Sequence, residues 1–380
     1  MHRISKRLAR SGALIGLALL ALLTAATVAN SAPSAGPPAA PANLKSVLAQ
    51  VAKLKPADRT AKLAQLAAQE GSVNLYTSLS STVTKPFQSA WAKAYPSVKL
   101  NLYRGSSEDV TARVLAETSA GTSGADVIET NGTNMLIFQH KKNVLVPYQK
   151  SPYASVIPRK YRFDTWTADR LEEFVVAWNT NLVKDPPKSF AELATSKWAG
   201  KLSVEPTDVD WFAQLYNYFT QNAPKKLSTK QADAMFSGIL RNAQLTNGHT
   251  NQATLLAAGQ FSIVVSGHAQ SLEQLMAKKA PIAFGPPFVE PVIERPQGVG
   301  ISYRLPHPAA ALLLYDWMIS TKGAQPILLA NGVQPSNPYA GRDDAFKSPH
   351  KTVEMDLRPI VSHFQAWEKK YESFTRLGKS

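Results

Sequence analysis

Three short stretches of this chain gather residues able to hold an oxygen-rich or negatively charged small molecule. Thr77, Ser78, Ser80 and Ser81 form the first, Arg104, Gly105 and Ser106 the second, and Thr130, Asn131 and Gly132 the third. The side chains are hydroxyls, an amide and one guanidinium, whose planar fork matches a carboxylate or phosphate with two parallel hydrogen bonds. Each stretch follows a run that reads as a strand and precedes one that reads as a helix. Exposed N–H groups at those helix starts would add to the affinity for an anion. Each hydroxyl could equally cap its own helix, and Arg104 could equally be a surface arginine in a turn.

A second group of polar positions lies further along, at Asp208, Asn247, Thr250, Gly267 and His268. Asp208-x-Asp210 has carboxylates at metal-loop spacing, but the glycine and terminal glutamate of a calcium loop are missing, so helix capping is expected there. His268 beside Gly267 sits at a strand end, where it could contact a ligand or serve a structural role. Trp178 and Trp211 could stack on a ring or sugar face, although aromatics at such spacing also build cores. Catalytic signatures are absent: there is no Gly-x-Ser-x-Gly elbow, no Gly-x4-Gly-Lys phosphate loop and no His-Glu-x-x-His. No catalytic residue, metal ligand or cofactor is therefore assigned, and the chain is expected to bind rather than to catalyse.

The elements that must carry these residues alternate. Val73–Tyr76, Val98–Leu102 and Asp126–Glu129 read as strands, and each is followed by an amphipathic helical stretch. Ser106 and Asp109 have the spacing of a capping box. Lys201–Glu205, Ala243–Thr246 and Phe261–Ser266 repeat the scheme. Alternation of this kind predicts an α/β fold with mixed, mostly parallel sheets flanked by helices. In such sheets ligands gather beyond the carboxyl ends of the strands. Two α/β lobes, each presenting polar loops, would leave a cleft between them.

The chain has 380 residues, 42 Lys+Arg against 27 Asp+Glu, and no cysteine. Disulfides, thiolate metal sites, a cysteine nucleophile and a lipid-modified cysteine anchor are thereby excluded. The net charge of +15 is scattered, with no dense basic run interleaved with aromatics, so nucleic acid is not an expected partner. Arg3, Lys6, Arg7 and Arg10 precede an uncharged, leucine-rich stretch from Ser11 to Ala29 that ends in small residues. This is the layout of a cleaved secretory signal peptide, expected over residues 1–30. Residues 31–42 read as a Pro/Ala-rich linker and 43–70 as a helical extension.

Beyond these readings, the chain resembles the extracellular solute-binding proteins of ABC importers, in the branch typified by ferric-iron binders. The residues carrying the likeness run from Gly71 to Pro335. They include Tyr95-Pro96 before Val98, Arg113 with Glu117 ahead of Ala125-Asp126-Val127, and Trp178-Asn179. Pro187 to Lys201, with Trp198-Ala199-Gly200-Lys201, and Ser320, Gly323, Gln325, Gly332 and Pro335 complete it. The resemblance implies a two-lobed type II periplasmic-binding fold, with lobe 1 at 71–177 and lobe 2 at 178–298. The chain would return to lobe 1 over 299–345 and end in a helical segment, 346–380, assigned to neither lobe. It implies hinge strands near Val175–Asn179 and Val299–Tyr303, and capture of a small solute by hinge closure. It further implies a monomer in the periplasm that partners an ABC permease. In the iron branch a tandem tyrosine pair follows the strand matching Phe261–Ser266, where this sequence has Gly267-His268. A small polar or anionic organic solute is therefore expected rather than ferric iron; a ferric-iron carrier, a ligand-presenting sensor subunit or, last, a secreted enzyme is the alternative.

Overall fold

A computed structural model describes residues 42–375 apart from 149, 242 and 343–346. The signal peptide and nearly all of the Pro/Ala-rich linker expected from the sequence lie outside the described residues. Eleven strands form one sheet among those described. In chain order they are β1 (Ser72–Thr77), β2 (Lys99–Arg104), β3 (Val127–Asn131), β4 (Trp166–Asn179), β5 (Leu202–Val204) and β6 (Gln244–Leu245). There follow β7 (Ile263–His268), β8 (Ile282–Ala283), β9 (Val292–Ile301), β10 (Gln334–Pro335) and β11 (Thr352–Glu354).

The pairing divides the sheet into two parallel triads. β1 runs parallel to both β2 and β3, and β5 runs parallel to both β6 and β7. Two long antiparallel strands, β9 and β4, sit between them: β3 pairs β9, β9 pairs β4, and β4 pairs β7. β10 and β8 attach to β4, and β11 to β9. The register fixes where the triads meet. Gln297 of β9 is opposite both Asn131, the last residue of β3, and Arg170 of β4. Four residues further along β4, Phe174 is opposite His268, the last residue of β7. The carboxyl ends of both triads thus converge on Arg170–Phe174, which is where ligands gather in open α/β sheets.

The crossing strand starts at Trp166, nine residues ahead of the Val175–Asn179 hinge strand that the resemblance implies. Its first half carries Asp169, Arg170, Glu172 and Glu173, yet all fourteen residues of β4 are buried. Close contact between the crossing strands needs a glycine at one point. A Cβ on Gly298 would stand 2.2 Å from the Trp166 ring, which is fully buried and stacked on Phe163 at 3.8 Å.

Helices cover both faces. The helix Pro308–Ile319 is apolar on every side apart from Asp316 and every residue in it is buried, the signature of an element packed on all sides. Two helices ahead of β1, Ala42–Val51 and Pro56–Glu70, join its cluster through Leu44, Val47, Val51, Leu63 and Ala67. Arg59 fixes this layer: its Nε lies 2.9 Å from Asp316, and its Nη2 donates to the Tyr148 hydroxyl at 2.6 Å. The C-terminal helix Phe364–Phe374 packs on the other triad, where Tyr371 sits beside Phe212 and donates to the Glu205 carbonyl.

Candidate functional site

Every strand of the two parallel triads is followed by a helix that begins at the same cavity. The six N-cap residues are Ser80, Ser106, Asn131, Asp208, Gly248 and His268, and all six line a cavity of about 590 Å³. That volume suits one small ligand. The first triad contributes Ser78, Ser80, Arg104, Ser106, Asn131 and Thr133; the second contributes Glu205, Asp208, Asp210, Asn247, His249, Thr250, His268 and Gln270. The crossing strands supply the floor with Arg170, Glu172, Arg295 and Gln297.

Of the residues singled out from sequence, nine line this cavity: Ser78, Ser80, Arg104, Ser106, Asn131, Asp208, Asn247, Thr250 and His268. Five do not. Thr77 is fully buried behind the cavity, its hydroxyl donating to Glu129 at 2.5 Å. Ser81 opens the first helix and faces solvent. Trp178 and Trp211 are core residues, 8% and 1% exposed, so the packing alternative holds for both. Gly267 is buried inside β7, where a Cβ would meet Leu272 at 2.9 Å.

The capping alternative divides the residues in the same way. Ser106 forms the capping box with Asp109, and Asn131 accepts from the Asn134 N–H. Ser80, Asp208 and His268 head their helices without accepting any backbone N–H. Asp208, expected to cap, instead turns one carboxylate oxygen to His249 Nε2 at 3.2 Å. Asp210 is held by Arg295 at 3.0 Å, by the Thr133 hydroxyl at 2.6 Å and by the Trp211 N–H.

Arg170 ties the floor to the first triad: Nη1 lies 2.8 Å from Glu129, and Nη2 donates to Ser78 Oγ at 3.3 Å. Two side-chain hydrogen bonds span the cavity, Thr133 to Asp210 and Gln270 Nε2 to Ser80 Oγ at 3.0 Å. Two histidines from adjacent loops stack, with the His249 and His268 rings 3.4 Å apart, and both meet the edge of Phe174. Burial, reinforced by His249, Arg295 and Arg170, pushes His268 well below the usual imidazole range, so it is neutral. Burial works against charge on His249 too, but Asp208 and Glu205 outweigh it and raise its pKa. Burial likewise raises the Glu172 and Glu205 carboxyls.

Sequence reasoning missed Arg170, Glu172, Glu205, His249, Gln270 and Arg295 as lining residues. The positions of Glu205 and His249, at a strand end and a helix start, were the available signal. Arg170, Glu172 and Arg295 lie mid-strand, where only the register reveals them.

A family model described as bacterial extracellular solute-binding protein matches residues 76–325. Among solved structures, the periplasmic binding protein AfuA from Actinobacillus pleuropneumoniae, with exogenous fructose-6-phosphate bound, superposes with a TM-score of 0.68 at 18% identity. That match covers 81% of this chain and 99% of AfuA. Apo ferric ion-binding protein A from Pasteurella haemolytica gives 0.66 at 18% identity, over 80% and 98%. Iron-bound HitA from Pseudomonas aeruginosa gives 0.64 at 14%, over 79% and 99%. These likenesses establish the type II periplasmic-binding fold.

Proposed function

The chain belongs to the bacterial extracellular solute-binding protein family, and from that premise we propose that it captures one small polar or anionic solute in the periplasm and delivers it to an ABC permease. The observation that carries this reading is the convergence of six helix N-caps on one cavity between two parallel triads. Helix starts favour anions, and four of the six heads leave their helices without a side-chain cap from the N-cap residue. The triads act as two lobes joined by β4 and β9, which bend as a hinge when the solute is enclosed. No helix among the described residues is long and apolar enough to cross a membrane.

The two sides of the cavity differ in chemistry, and the difference narrows the solute class. On the first triad Arg104 is exposed and forms no ion pair among the described residues, beside Ser78, Ser80 and Ser106. This side receives the anionic end, a carboxylate, phosphonate or phosphate ester. Opposite, Asn247 and neutral His268 of the second triad, with Glu172 of the floor, offer acceptors that suit hydroxyl groups. A hydroxylated organic anion satisfies both sides. Among the described residues that line the cavity there is no tyrosine, so the phenolate pair expected of the iron branch has no counterpart there, and the iron-carrier reading is not adopted. The fructose-6-phosphate bound by AfuA belongs to the class proposed here.

A thermal-shift screen of purified protein across organic acids, phosphonates, phosphate esters, sugars and polyamines tests this directly. A solute at one hundred times its Kd should add about 2.7 kcal/mol of stability by mass action. Arg104→Ala should then weaken binding of the anionic hit by about 10–100-fold, the worth of a charge-assisted pair. An unchanged Kd in that variant would mean that the anion lies elsewhere in the cavity.

A further inference from the structure

We infer that Glu205, Asp208 and His249 form a divalent-cation site through which the second triad engages the solute, an inference that rests on this cavity being the solute site. The three residues come from two adjoining loops. Glu205 and Asp208 lie between β5 and the helix Val209–Asn217, and His249 opens the helix His249–Ala257. One donor atom from each lies within 4.8 Å of the other two. One imidazole nitrogen with two carboxylate oxygens suits a first-row divalent ion such as Mn²⁺ or Zn²⁺. Three protein donors also leave coordination positions open for oxygens of a bound solute.

A separate observation points to a ligand here. Asp208 is 2% exposed, and its second carboxylate oxygen has no hydrogen-bond partner among the described residues. It heads a helix, where such an oxygen usually accepts an N–H, yet it makes no cap. A buried carboxylate oxygen without a donor is costly and calls for a partner such as a water or an ion. Glu205 stands beside it, 5% exposed, so two like charges share the site. Arg295 makes its direct hydrogen bonds with both oxygens of Asp210 rather than with this pair.

The surroundings hold the donors in place as outer partners of metal ligands do. The Thr207 N–H and hydroxyl both donate to one Glu205 oxygen, and the Gly248 N–H points at the other from 3.4 Å. The His249 ring is clamped flat against His268 and edge-on to Phe174.

The test uses the whole mature chain, stripped with EDTA and desalted, titrated with MnCl₂ or ZnCl₂ alone. Calorimetry should find one site per chain, and the Mn²⁺ electron-paramagnetic-resonance signal should change on binding. Asp208→Asn and His249→Gln should each weaken the metal by at least about tenfold, with melting curves confirming that both variants fold. Absence of stoichiometric binding, or equal affinity in wild type and both variants, would overturn the inference. The solute screen is then repeated with EDTA. Hits whose affinity is independent of EDTA would remove the bridging role while leaving the solute-binding function intact. Stoichiometric metal binding that both variants weaken, with no solute hit in either condition, would instead support the cation site and count against the solute-binding function.

Discussion

Arg170→Met is expected to destabilise the protein by about 3–5 kcal/mol, the usual cost of removing one partner from a buried ion pair. Arg170 is 4% exposed and its partner Glu129 is fully buried. Glu129 also accepts from the Thr77 hydroxyl and the Ser78 N–H, so its position is fixed and it cannot turn to water. Without the guanidinium, a carboxylate is stranded beneath the cavity, close to Asp169, whose own pKa is already pushed up by burial and by Glu129. Chemical denaturation at pH 7 measures the loss. Adding Glu129→Gln to Arg170→Met should recover most of it, because the double variant buries a neutral group that can still accept both hydrogen bonds. A cost below about 1 kcal/mol for the single variant would show that the pair is not buried in solution. Solute affinity should fall as well, since Arg170 positions Ser78 at the cavity wall.

Arg59→Met should produce a comparable loss by the same physics at a site remote from the cavity. Arg59 is 4% exposed and bridges the N-terminal helical layer to Asp316, in the centre of the fully buried helix Pro308–Ile319. The expected cost is about 3–5 kcal/mol at neutral pH. Its pH dependence carries a sign. Burial already raises the Asp316 carboxyl, and Arg59 is the first opposing influence. In the variant the folded-state pKa rises further above the unfolded value, so the folded state binds more protons than the unfolded one. Stability of the variant relative to wild type should therefore recover as pH falls through that raised pKa, and the deficit should be greatest at neutral pH and above. Urea unfolding of both proteins from pH 7 down to pH 5 checks the trend. A deficit that grows on acidification would contradict it. Solute affinity should be unchanged, because none of these residues lines the cavity.

The fold was legible where local chemistry and tertiary structure agree. β1 covers Val73–Tyr76, β3 covers most of Asp126–Glu129, and the Ser106–Asp109 capping box forms as its spacing predicts. The alternation of strand and helix also placed the polar strand ends on one side, which brought nine of the chosen residues to the cavity. What stayed hidden were charged residues whose burial depends on partners far away in the chain. Asp169-Arg170-Leu171-Glu172-Glu173 carries no local sign of burial, which follows only once Arg170 is set against Glu129, 41 residues away. Arg295 likewise makes sense only beside Asp210, 85 residues away. Trp178 and Trp211 failed for the opposite reason: an aromatic beside polar residues suggests a stacking face, but both packed into the core. Asp208 was read as a cap from its position, and nothing local could show its turn toward His249.

The central claim is that the cavity between the triads takes up one solute per chain. It is tested most directly by titrating the strongest hit from the screen into wild type and into Thr250→Trp by calorimetry. Thr250 is exposed and lines the cavity, so the larger ring fills ligand space without disturbing the core. Wild type should bind with a stoichiometry of one, and Thr250→Trp should lose about 100-fold or more in affinity, some 2.7 kcal/mol, while melting at the same temperature without solute. Equal affinity in the two proteins, or chemical conversion of the solute by either, would contradict the account.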